Sequence, residues 1–207
     1  MASTVAHLAL LHAIIAMANW LGLELHQVNI KGTYLNGILH EDKVLYMQHP
    51  PGYKAQGIGH LMLHLLKTLY GLKQSVHHWY QKLSSIFLSL GFKHCSINQA
   101  VFHKVDQDWK TLTVITVHVD DCTIAASSKK LIEELIASLC KSLKVMDLSE
   151  LHWMLGIKIQ HDCASHTIHL SQHTYINSIL HHYNLSDLKP LSMPMDTSIQ
   201  LTTELAP

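Results

Sequence analysis

The stretch LTVITVHVDDCTIAA, residues 112–126, decides how this chain is read. Two β-branched apolar runs flank Asp120 and Asp121, which predicts two strands with the acidic pair at the turn between them. Adjacent carboxylates in an apolar hairpin repel each other and lose hydration, so they need a local reason to be there. One reason is turn chemistry, since Asp suits turns. The other is a divalent-metal site at the hairpin tip. The hairpin alone leaves both open.

Working outward, residues 100–105 read as a strand that turns through residues 106–109 into the hairpin. Before it, residues 75–90 carry Trp79, Leu83, Ile86, Phe87 and Leu90 on one helical face, with Gly91 where a C-terminal cap belongs. After it, residues 129–143 repeat the pattern with Leu131, Leu135, Ile136 and Leu139. Residues 146–148 lead to a strand at 155–160, a loop at 162–165 and a partner strand at 166–170; Ser171 caps a helix over 172–183. On the N-terminal side, residues 5–20 have helical spacing, with Ser3 or Thr4 as cap, and residues 23–30 alternate as a strand does. Asn36-Gly37 is a turn signal, residues 44–47 a short strand, residues 57–59 a loop, and residues 60–67 read better as strand than helix. The sum is an α+β chain: an antiparallel sheet with helices on one face.

Composition narrows the function classes. At 207 residues, 48% hydrophobic and 14% charged, the chain can bury a substantial core. No apolar run reaches the roughly 18 residues of a membrane span, and the N-terminal stretch lacks a basic start and a cleavage site, so an intracellular protein is expected. Cys95, Cys122, Cys140 and Cys163 form no CxxC pair and read as free buried thiols. All 15 basic residues of the Lys+Arg total are Lys, and His reaches 19. Without Arg there is no forked guanidinium to grip phosphate, so Lys, partly protonated His or backbone must make any such contact. The histidines at 60 and 64, the doublets His77-His78 and His181-His182, and the group His161, His166 and His169 find no third ligand at a recognised zinc spacing. Neither a Gly-rich phosphate loop nor a nucleophile elbow is present in the sequence.

Five blocks occur in one order: QVNIKGTYLNG (27–37), TLYGLKQSVHHWY (68–80), VHVDD (117–121), WMLGIKI (153–159) and LSQHTYI (170–176). Together they resemble the copia-type retrotransposon reverse transcriptases, from about the first helix to about Met195. The resemblance implies a right-hand polymerase: a palm sheet, partial fingers and the start of a thumb. On that layout residues 1–195 form an N-terminally truncated fingers and palm-like domain, and residues 196–207 a C-terminal tail. It also implies RNA-directed DNA polymerase chemistry on an RNA template and DNA primer with dNTPs, and no membrane partner. Two Mg2+ ions held by three carboxylates would activate the primer hydroxyl and hold the triphosphate.

Carried onto this sequence, Asp120 and Asp121 match the family's paired catalytic, metal-binding aspartates. Asn29 stands where the first catalytic Asp is expected, which removes one of three charges that hold the ions. Tyr34 matches the aromatic under the incoming sugar, and Gln74 the glutamine of the nucleotide-side loop. Lys73 reads equally as a phosphate contact or a solvated surface residue. His118, His77 and Val76 replace the family's usual Tyr, Arg and Pro. The expected protein is therefore a reverse transcriptase domain with impaired or lost catalysis, a pseudoenzyme. The alternative is a domesticated, non-catalytic module that binds nucleic acid or protein with the same fold.

Overall fold

In the computed structural model, residues 6–39, 44–50, 52–53 and 61–189 are described. The elements in chain order are α1 (Leu8–Leu21), β1 (Glu24–Ile30), a 3-10 turn (Thr33–Asn36), β2 (Tyr46–Met47), β3 (Leu63–His64), α2 (Ser75–Ser89), β4 (Lys93–His94), β5 (Val101–Val105), β6 (Leu112–His118), β7 (Asp121–Ala126), α3 (Lys129–Cys140), β8 (Val145–Glu150), β9 (Trp153–Met154), β10 (Ile157–Asp162), β11 (Thr167–Ser171) and α4 (His173–His182). The main sheet has the order β4-β5-β6-β7-β1-β8, and every pairing in it is antiparallel. A three-stranded sheet, β11-β10-β9, and the small β2-β3 pair stand apart from it.

Helices lie on both faces of the main sheet, not on one as the sequence suggests. On one face Trp79, Leu83, Ile86 and Phe87 of α2 and Ile132, Leu135 and Leu139 of α3 pack on Val28, Ile30, Phe102, Ile115, Val117, Cys122 and Ile124. On the other, Leu11, Ile14, Ile15 and Ala18 of α1 meet Leu25, Val101, Val114 and Ala125, joined by Met154, Ile157 and Ile159 of the small sheet. The reason is strand alternation. Leu25 and Val28, Val114 and Ile115, and Cys122 and Ala125 send apolar groups to opposite faces, so both need cover. Local periodicity identifies a helix but not the face it covers.

Several element limits differ from expectation. Helix α3 stops at Cys140, and Leu143 packs beyond it as an irregular residue. Among the described residues of the expected strand at 60–67, Leu63–His64 pair with Tyr46–Met47 and Lys67 forms a single bridge to Ile38, so the strand is broken rather than continuous. Residues 145–150 form a full edge strand against β1. Helix α2 ends as expected: Gly91 follows the cap with φ +84°, and Phe92 N–H returns to Phe87 O. For α4, the cap position falls on Gln172, which makes no side-chain cap bond, so Ser171 ends β11 one residue before the cap expected of it, although its Oγ accepts the His173 N–H. All four cysteines are free, but only Cys122 is buried; Cys140 and Cys163 are exposed, against the expectation of buried thiols. Helix α1 begins at Leu8 with His7 at its cap position, so neither Ser3 nor Thr4 caps it as expected. Ser3, Thr4, the loop at 57–59, His60 and the tail at 196–207 lie outside the described residues. No helix among the described residues is long and apolar enough to cross a membrane.

A candidate acidic hairpin site

The hairpin closes with two residues. His118 pairs with Asp121, leaving Val119 and Asp120 as the loop. A two-residue hairpin loop needs positive φ at its first central position, which normally calls for Gly. Here Val119 takes φ +61°, a conformation a β-branched residue rarely adopts, at a cost of about 1–3 kcal/mol. Two bonds hold it: Trp79 Nε1–H donates to Val119 O at 2.9 Å, and Ile30 N–H donates to Asp120 O at 2.8 Å. The turn is therefore anchored from α2 and from β1.

Strand β1 delivers the third site residue. The ladder sets Asn29 opposite Asp121. Val28 and Ile30, and Cys122 next to Asp121, point into the core under α2 and α3, so alternation sends Asn29 and Asp121 to the other face. There Asn29 Nδ2 donates to Asp120 Oδ2 at 3.2 Å and to Asp121 Oδ1 at 3.1 Å. One amide group thus bridges both carboxylates. Ionised carboxylates only accept, so the NH2 end of the amide must be the end that faces them. All three side chains are half-buried, a setting in which a bond to a charged acceptor is worth about 1.5–3 kcal/mol.

Cys122 lies directly behind the pair and is fully buried. Burial, with Asp121 and Asp120 adding to it, pushes its thiol up to about 12, so it stays neutral and offers no thiolate to a metal. His118, before the turn, has a buried Nδ1 with no hydrogen-bond partner among the described residues.

Tyr34 sits in the 3-10 turn after β1 and lines a small cavity with Val76, Trp79, Tyr80, Val117 and Val119. Its ring meets Tyr70 edge-on at 5.0 Å, and its carbonyl accepts the Thr68 hydroxyl. Gly37 closes this turn for a reason other than φ, which is an ordinary −66°. A Cβ there would collide with Thr68 Oγ1 and crowd the backbone of α2 at Trp79. Only glycine lets the turn pack against the helix that anchors Val119.

Lys73 is exposed and Gln74 half-buried at the start of α2. Among the described residues neither side chain hydrogen-bonds to the hairpin. The structure thus gathers Asn29, Asp120 and Asp121 directly, sets Tyr34 beside the turn, and leaves Lys73 and Gln74 in the turn that leads into α2, the helix of the Trp79 anchor. Trp79 and Thr68 escape the sequence reading: Trp79 announces only a core face, and a buried threonine has no pattern of its own.

The three side chains do not fit a two-magnesium centre as they stand. Paired hard cations need anionic oxygen to offset their charge, and the third position offers a neutral amide whose hydrogens already occupy both carboxylates. No group of three His, Cys, Asp or Glu side chains among the described residues is arranged to hold a metal ion.

A family model described as reverse transcriptase (RNA-dependent DNA polymerase) matches residues 1–197. The retrovirus-related Pol polyprotein from transposon TNT 1-94 of Nicotiana tabacum is 32% identical over 205 residues, 99% of this chain and 15% of that protein. The retrovirus-related Pol polyprotein from transposon RE1 of Arabidopsis thaliana is 32% identical over 178 residues, 86% of this chain and 12% of that protein. A putative transposon Ty5-1 protein of Saccharomyces cerevisiae is 24% identical over 180 residues, 87% of this chain and 57% of that protein. The chain therefore spans only about an eighth to a seventh of the length of the plant polyproteins it matches.

Proposed function

The chain belongs to the reverse transcriptase (RNA-dependent DNA polymerase) family, in its copia-type branch, and from that premise we propose that it is the polymerase portion of a retrotransposon Pol polyprotein whose nucleotidyl transfer is impaired. The observation that carries this reading is the amide of Asn29 bonded to both Asp120 and Asp121. The family generally works with divalent ions, a nucleic-acid template and dNTPs. In this reading Asp120 and Asp121 keep two of the family's carboxylates, while Asn29 lacks the charge that a divalent-ion centre requires and its amide occupies both of them.

The main sheet with α2 and α3 corresponds to the palm, the turn around Tyr34 and the β2-β3 pair to part of the fingers, and α4 to the start of the thumb, within a domain reaching residue 195. Tyr34 lies beside the hairpin as a residue that contacts the incoming sugar would, and Lys73 and Gln74 face the nucleotide side. An RNA template and DNA primer would cross the acidic hairpin, held by Lys and His because Arg is absent.

Primer extension on an RNA template with magnesium tests the reading. The wild-type chain should extend little or nothing, and Asn29→Asp should raise extension by a factor of about 10 or more, the scale on which a lost transition-state charge contact acts. Adding Asp120→Asn to that variant should abolish the gain. Robust wild-type extension sinks the proposal. If no variant extends, yet nucleic acid binds with a salt dependence set by Lys contacts and indifferent to Asp120 and Asp121, the non-catalytic binding module takes its place.

A further inference from the structure

We propose that Asn29 serves as a built-in substitute for a cation: its amide cross-links Asp120 and Asp121, so that the hairpin keeps its shape without a divalent ion. This deepens the reading of Asn29 given above and rests on it. The problem such a group solves is visible in the fold. Asp120 and Asp121 are adjacent, half-buried, and carried by a loop that is already strained at Val119. The described residues place no Lys or His side chain in an ion pair with either carboxylate. With Asp at position 29, three carboxylates would converge where the ladder sets residue 29 opposite Asp121. A cation, or a proton held by one of the carboxyls, would have to relieve that repulsion.

The amide removes the third charge and supplies two donors in one step. Its two N–H groups each meet a different carboxylate, at 3.2 and 3.1 Å. Those are oxygens a metal ion would otherwise use. An entering ion must therefore displace two charge-assisted hydrogen bonds and turn the amide over to obtain even a neutral ligand. Both effects lower divalent affinity in the wild-type chain. The same effects make the folded hairpin indifferent to chelators.

Ion-dependent stability tests this without reference to catalysis. Thermal unfolding of the wild-type chain should move by less than about 1 °C between chelator and millimolar magnesium, because a ligand that does not bind the native state does not stabilise it. Asn29→Asp should lower the midpoint by about 6–24 °C in chelator, the scale of two lost bonds to charged groups in a chain of this size, and magnesium should restore most of it. Asn29→Ala removes the donors without adding charge. It should also unfold earlier in chelator and acquire a smaller magnesium response. A wild-type midpoint that rises with magnesium as far as that of Asn29→Asp overturns the proposal, and so does an Asn29→Ala chain as stable as wild type.

Should Asn29→Asp fail to fold under both conditions, the wild-type chain still decides. Substoichiometric manganese should leave its amide NMR signals at residues 119–122 unbroadened, and selective broadening there overturns the proposal. The two readings also separate cleanly. Extension restored in Asn29→Asp without ion-dependent stability sinks the cross-link alone. Ion-dependent stability without restored extension keeps the cross-link and sinks the attribution of lost catalysis to Asn29.

Discussion

Strands β5, β6, β7 and β1 are buried from both sides, whereas the chain from β10 through α4 rests on the molecule by one face of one small sheet. In the first region Val28, Phe102, Ile115, Cys122 and Ile124 are fully enclosed. In the second, Ile157 and Ile159 face the core, and α4 buries no residue; Tyr175, Ile176, Ile179 and Tyr183 remain exposed. The difference locates the site. Residues 29, 120 and 121 project from the rigid region, so their mutual geometry is set by a packed ladder. The C-terminal region contributes surface and little constraint.

The largest test of that contrast is Phe87→Ala. Phe87 is fully buried on α2, with its ring 4.7 Å from Phe102 and 5.9 Å from Phe92. Truncation should cost about 3–5 kcal/mol in denaturant unfolding, the range for a buried aromatic whose cavity cannot collapse. A cost below about 1.5 kcal/mol would show a core far looser than this packing, since that is the scale of a volume-conserving swap.

Physical reasons decide what the sequence shows and what it hides. The hairpin is legible because its β-branched runs are unbroken and its only charges fall together. Helix α2 is legible because its apolar face repeats with a period of 3.6 and ends at Gly91. The edge strand β8 is hidden: its residues VMDLSE are nearly all exposed, so no alternation marks them, and only the backbone ladder to β1 makes the strand. The position of α1 across the sheet is hidden too, because α1 itself shows only a helical stripe. Within the site, Asn29 and the aspartates are legible through the blocks that contain them. The bridging amide is not, because it depends on the register that sets Asn29 opposite Asp121. Nor is the indole bond from Trp79 to Val119, which joins residues forty apart.

That indole bond gives the second test, on the border between the packed core and the site. Trp79→Phe keeps an aromatic ring in the core but removes the donor to the Val119 carbonyl. Leaving a part-buried carbonyl unpaired should cost about 1 kcal/mol, the low end of the range for a lost partner. Hydrogen exchange should speed up at residues 118–122 more than at β5, since the turn loses one of its two anchors while the ladder stays. Uniform acceleration across the sheet would mean that Trp79 acts by volume alone and that the hairpin needs no anchor from α2.

The smallest effect belongs to α4. Ile176 is 52% exposed, so truncation to Ala leaves no cavity. The little apolar area lost is offset by the better helix propensity of Ala, worth a few tenths of a kcal/mol. Ile176→Ala should therefore change unfolding stability by no more than about 0.5 kcal/mol in either direction. The contrast between the two regions depends on this near-silence. A loss above about 1.5 kcal/mol lies outside what an exposed isoleucine can contribute through its own fold. A loss that grows with protein concentration would mean that the face is covered in solution by a second copy. Either result would move α4 from the loosely held region to the packed one.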